Sequence, residues 1–208
     1  LLWFCYYRDR PREHPRTNEA ECAMIEAALG AGGANAKVPW RHLLGQPQLW
    51  LLSAMYFCYA YCINIFLTWF PKYLHDARGF DIAVMGLLAS LPLMAGVVGD
   101  LAGGWLSDLM VKRGMGLKIA RRAVAVCGFF VAAAAIPLAA SADAPLTSIA
   151  CFCVALFGLE VTVGVSWAVT LDIGGEFAGS VSAVMNTLGN LGAAIAAAVT
   201  GYIVSFSG

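Results

Sequence analysis

Five long apolar stretches, about residues 48–70, 82–107, 123–141, 146–171 and 178–206, contain no Lys and no Arg. A helix crosses a bilayer core with roughly 20 residues, and each stretch can do so. The runs are continuous rather than alternating, so they predict helices and not barrel strands. The chain is 60% hydrophobic and 12% charged, against roughly 25% charge in a soluble domain. A soluble core of this size cannot hide so much apolar surface, so a lipid bilayer is the expected partner. A formal net charge of zero argues against nucleic acid. The expected fold class is all-α transmembrane.

Pro47 and Pro145 stand where helices begin, a position that tolerates the missing N–H. Pro92 and Pro137 lie inside spans and predict kinks. Residues 8–16 are charged and carry two prolines, Pro11 and Pro15, which reads as a polar linker. Residues 19–29 predict a short helix, and residues 39–44, with Trp40 and Arg41, an interfacial one. The opening residues 1–7 read as the end of an earlier membrane helix. No initiator Met or signal peptide is visible, and an odd number of spans follows. The expectation is that pieces lie beyond this sequence.

Lys and Arg set the orientation. If residues 8–41 are cytoplasmic, alternation puts residues 108–122 there too, and residues 172–177 as well. All basic residues except Lys72 and Arg78 then lie inside.

Polar side chains in hydrocarbon are costly and serve as functional candidates. At about 100° per residue, Tyr61, Asn64 and Thr68 share one arc of the first span. Val163, Ser166, Trp167 and Thr170 share a face of the fourth, with Glu160 close to it. Ser182, Asn186, Asn190, Ala193, Ala197 and Thr200 form a stripe on the fifth. Three such stripes predict a shared wet cavity; the competing reading is hydrogen bonding between helices. Ser182 and Thr200 fit the second reading, Asn186, Asn190 and Trp167 the first. Glu160 lies mid-span, where an unpaired charge is very expensive. It reads either as a proton-linked group or as a protonated carboxyl that joins helices. Asp100 shares a face with Gly96, Gly103 and Ser107, and reads as a bond to a neighbouring helix. Gly99 and Gly103 predict a tight crossing.

His14, His42 and His75 lie outside the spans, and no nucleophile–base set or phosphate loop is visible. Cys58 and Cys62 sit one turn apart without a His or carboxylate, and read as packing residues rather than metal ligands. No enzyme, cofactor or metal is expected.

The residues also carry a resemblance. Tyr7 to Glu21, Val38-Pro39-Trp40-Arg41, Phe66 to Leu74 and Asn186 to Gly192 resemble the anion:cation symporter branch of the major facilitator superfamily, which includes bacterial permeases for hexuronates, aldonates, aldarates and phthalate. Gly103-Gly104-Trp105-Leu106-Ser107-Asp108, followed by Lys112-Arg113-Gly114, is similar to the second copy of the superfamily's signature loop. The resemblance implies the C-terminal half of a 12-helix bundle, from the end of helix six through helix eleven. Residues 1–7 would end helix six, residues 8–47 would be the cytoplasmic central loop, and residues 48–206 the five-helix portion. It implies substrate contacts at Tyr61, Ser166, Trp167 and Asn186, with Asn64, Thr170 and Asn190 as neighbours. Asn64 departs from the aromatic residue common in the branch. Gly104, Asp108, Lys112 and Arg113 would form a gate, Asp108 bonding a facing helix N-terminus and the cations pairing across the halves. Ordinary positive-inside charge accounts for Lys118, Arg121 and Arg122.

The implied function is proton-coupled uptake of a small organic anion by alternating access, in a bacterial inner membrane. The implied partners are that anion, protons and an N-terminal half, which would supply the countercharge. Two other readings compete: an exporter of drugs or neutral solutes, and a non-transporting receptor or scaffold.

Overall fold

The computed structural model describes residues 3, 6–8, 11–29, 38–76 and 81–207. Most of residues 1–7, residues 30–37 and Arg78 lie outside the described residues. The chain divides into two compact units, Leu1–Trp40 and Arg41–Gly208.

In the first unit a 3-10 turn, Pro11–Glu13, precedes helix α1, Glu19–Leu29. The start of α1 is capped reciprocally. The Glu21 N–H donates to Asn18 Oδ1 at 2.7 Å, and the Asn18 N–H donates to Glu21 Oε2 at 3.2 Å. Two otherwise orphaned donors are thereby satisfied.

Helix α2, Trp40–Leu44, is followed by five long helices: α3, Pro47–Asp76; α4, Ile82–Lys112; α5, Leu117–Ser141; α6, Pro145–Gly174; and α7, Ala178–Ser207. They contain 25 to 31 residues each, or about 38 to 46 Å at 1.5 Å per residue. Among the described residues, four continuous stretches have the length and hydropathy of membrane spans, the last of them Pro145–Phe206, 62 residues long. A 3-10 turn at Gly175–Phe177 divides that stretch into α6 and α7. Gly175 has φ 50°, a conformation that favours glycine, so the apolar run makes two helices rather than one.

The helices outrun the apolar stretches, most clearly in α3, which passes Pro71 and ends at Asp76. Lys72 pairs with Asp76 at 3.0 Å, one turn on. His75 Nδ1 lies 2.8 Å from the same carboxylate. The His75 hydrogen bond, then that of Lys72, holds the Asp76 carboxyl below its usual range. Hydropathy marks the part of a helix inside hydrocarbon, whereas backbone hydrogen bonding carries the helix on into water.

Glycines set the packing. A Cβ on Gly189 would lie 2.6 Å from Tyr56, and one on Gly192 would lie 2.5 Å from the Phe57 carbonyl. Further along, Gly201 approaches Trp69. The contacts rise together in number, so α3 and α7 run parallel. Helices α5 and α6 run antiparallel: Ser148 Oγ donates to the Ala139 carbonyl at 2.7 Å, Gly128 faces Gly158, and Arg121 meets Asp172. Gly99 and Gly103 of α4 lie so close to the Phe157 and Val161 carbonyls that a side chain would collide. Asp100 lies against Gly164 of α6, with Oδ1 3.0 Å from where a Cβ would stand. The expected tight crossing of this face is therefore the α4–α6 contact.

Candidate functional site

A cavity of about 460 Å³ opens between α3, α4, α6 and α7. Its α3 wall is a continuous helical face of Tyr56, Tyr59, Ala60, Ile63, Asn64 and Leu67. Asn186 and Asn190 come from α7, and Glu160 from α6. The stripe on α7 faces α3 because Gly189 and Gly192, between and beside the two asparagines, let the backbones close up.

Glu160 is joined to α3. The Tyr59 hydroxyl donates to Glu160 Oε1 at 2.8 Å, so a mid-span carboxyl has a polar partner. Gly96 makes room for it; a Cβ there would lie 2.9 Å from Glu160 Cγ. Two buried polar side-chain atoms among the described residues lack a partner, Ser53 Oγ and Asn64 Oδ1. The second belongs to a residue of the cavity wall and is an open acceptor. Asn190 Nδ2 donates to the Asn186 carbonyl at 2.8 Å, which fixes one amide on its own helix.

The sequence-predicted residues therefore divide. Asn64, Asn186, Asn190 and Glu160 line one cavity. Tyr61 is half-buried and stands beyond the edge of the α3 face, 100° from Ala60 at the helical pitch. Ser166 is 1% exposed and donates to the Thr162 carbonyl at 2.5 Å. Thr170 donates to the Trp167 carbonyl and accepts from Ser182 Oγ at 3.0 Å, a bond between α6 and α7. Trp167 is exposed and meets Tyr56 edge-on, ring centroids 6.3 Å apart. Tyr56 and Tyr59 were missed. Their register toward Glu160 depends on how α3 rotates, which no local pattern specifies.

At the ends of the helices, Asp108 of α4 accepts from Arg121 Nη1 at 2.9 Å. The same nitrogen donates to Ser107 Oγ at 2.6 Å, and Nε to Asp172 Oδ2 at 3.3 Å. The Arg121 side chain is 13% exposed. Background positive-inside charge thus accounts poorly for Arg121: its planar fork braces α4, α5 and α6. A Cβ on Gly104 would meet nothing within 4 Å, and Lys112 and Arg113 are exposed at the end of α4. Among the described residues no grouping of His, Cys, Asp or Glu could hold a metal.

Membrane-length helices that keep their basic groups at the ends and line an amide-bearing cavity define a multi-pass helical membrane protein. The model of the Major Facilitator Superfamily matches residues 1–197, and the chain belongs to that superfamily. It is 37% identical to the probable sulfoacetate transporter SauU of Cupriavidus necator, over 100% of this chain and 48% of that protein. It is 31% identical to the hexuronate transporter of Bacillus subtilis, over 100% and 48%. With the probable galactarate/D-glucarate transporter GudP of Bacillus subtilis it shares 32% identity, over 95% and 46%. The chain thus spans about half the length of these relatives.

Proposed function

We propose that the chain forms one wall of a secondary active transporter that moves a small organic anion with protons by alternating access. The observation that carries the reading is the cavity lined by Asn64, Asn186, Asn190 and Glu160. Amides offer donors and acceptors to the hydroxyl and acid groups of such a substrate. The substrates named for the relatives, sulfoacetate, hexuronate and galactarate/D-glucarate, all carry a small acid group, and a sugar acid or aromatic carboxylate fits the same chemistry.

The apolar stretches hold no Lys or Arg, so the countercharge for an anion comes from a facing half. Glu160 is the candidate proton-linked group, and Asp108 with Arg121 the candidate brace of the gate. The skew of Lys and Arg supports an orientation with residues 8–47, 108–122 and 172–177 in the cytoplasm, and the bacterial relatives support a bacterial inner membrane.

The test is uptake of labelled sulfonated, sugar and aromatic acids by the full-length protein in proteoliposomes, with and without an imposed pH gradient. We expect gradient-dependent uptake of at least one acid, reduced tenfold or more by Asn64→Ala with Asn186→Ala. Gradient-independent uptake, or uptake indifferent to both substitutions, sinks the reading.

A further inference from the structure

The α4–α6 crossing carries a second mid-span carboxyl, Asp100, outside the lining of the amide-bearing cavity. Two glycines set its place relative to Glu160. A Cβ on Gly96 of α4 would lie 2.9 Å from Glu160 Cγ, and Asp100 Oδ1 lies 3.0 Å from where a Cβ on Gly164 of α6 would stand. Each acidic side chain thus lies over a glycine of the opposite helix. Gly96 and Asp100 are four residues apart on α4, Glu160 and Gly164 four apart on α6, and the numbers rise together across the crossing. The two carboxyls therefore sit one turn apart, about 6 Å along the helix axes. Backbone meets backbone here, at Gly103 with Val161 and at Gly164 with Asp100. The spacing is a property of this crossing, whatever packs outside it.

The surroundings offer little to hold two negative charges. Asp100 and Glu160 are both half-buried, and neither is in an ion pair among the described residues. The titratable groups close enough to act on Glu160 are Asp100 of α4 and, on α3, Tyr59 and Tyr56. Helix α7 brings only the amides Asn186 and Asn190 to the cavity, and α5 meets α6 through Gly128 and Gly158. Tyr59 supplies one hydrogen bond, to Glu160 Oε1. Like charges this close in a low-dielectric setting are not both ionised unless a cation joins them. Sites that interact so strongly titrate together.

We propose that Asp100 and Glu160 hold one proton as a pair, with Asp100 the positioning residue that sets when Glu160 releases it. The step is the breaking of one carboxyl O–H bond, the proton passing to water, and the re-forming of that bond on its return. The proposal rests on Glu160 as the proton-linked group of transport and extends it, because the coupling then belongs to two helices rather than to one side chain.

The test is infrared spectroscopy of the full-length protein in proteoliposomes, without substrate, following the protonated-carboxyl stretch as pH is varied. Wild type should show a protonated carboxyl at neutral pH that Glu160→Gln removes. Asp100→Asn keeps the shape of the side chain. It should move the pH at which the band fades by about one unit or more, because Glu160 then ionises without a like charge one turn away. Asp100→Ser, a second way to remove the charge, should do the same. No such band in wild type overturns the proposal, since both groups are then ionised, as a cation from a facing half would cause. A band unchanged by Glu160→Gln overturns it, and so does one whose fading is unmoved by both Asp100 variants. A merely structural Asp100 would lower the melting temperature and leave the band in place. Uptake on the same variants separates the two claims: a moved band with uptake indifferent to a pH gradient keeps the pair and removes Glu160 from transport coupling.

Discussion

The Tyr59 hydroxyl donates to Glu160 Oε1 across 2.8 Å, tying α3 to α6 at the wall of the amide-lined cavity. The bond gives Glu160 a hydrogen-bond partner on α3 within a cavity that Asn64, Asn186 and Asn190 also line, a setting in which gain or loss of a proton changes helix contacts as well as charge.

Glu160→Gln keeps an acceptor for Tyr59 and removes the titration. Full-length protein carrying it should fold, and its uptake should lose the wild-type pH dependence. Uptake with an unaltered pH profile would exclude Glu160 as the proton-linked group. Tyr59→Phe leaves the carboxyl without its donor, and should lower stability in detergent by about 1–3 kcal/mol, the cost of an unsatisfied buried polar group. Thermal unfolding measures it.

Arg121→Met removes a cation whose side chain is 13% exposed and leaves Asp172 and Asp108 without their shared partner. Asp172 is 30% exposed and Asp108 59%, so water screens much of the loss. The expected destabilisation is about 1–2 kcal/mol, below that of a fully buried pair. Asp108→Asn should cost less, yet shift the inward–outward balance. Alkylation of single cysteines on the cytoplasmic side, unchanged in that variant, would refute a gate role for Asp108.

Adjacent glycines of α4, Gly103 and Gly104, should respond in opposite ways. Gly103→Ala drives a methyl group into the Val161 carbonyl, while a Cβ on Gly104 meets nothing within 4 Å. The first should cut folded yield and lower the melting temperature; the second should leave both near wild type. Size-exclusion profiles of the two variants decide the matter, and equal behaviour would contradict the α4–α6 contact.

Cysteine accessibility maps the cavity. In a background free of native cysteines, Asn64→Cys and Asn186→Cys should react with a water-soluble thiol reagent in at least one transport state. Ser166→Cys, at a position 1% exposed, should stay unreactive. Labelling sealed at 64 and 186 in every state would remove the wet cavity.

Much of this molecule follows from hydrophobicity alone. Long apolar runs that do not alternate satisfy their backbone in lipid as helices rather than as barrel strands, so the spans, the turn before Ala178 and the asparagine stripe on α7 could be read directly. Side-chain roles on α3 and α6 could not. Tyr61 and Ser166 carry the same polar signal as Asn64, yet Ser166 is spent on its own helix and Tyr61 stands off the cavity face. Arg121 looks like any other basic residue beside Arg122 until α4 and α6 bring two carboxylates to it. Periodicity fixes which residues share a face, but the rotation of each helix is set by where glycines allow backbones to touch, and that is a property of pairs of helices rather than of any one of them.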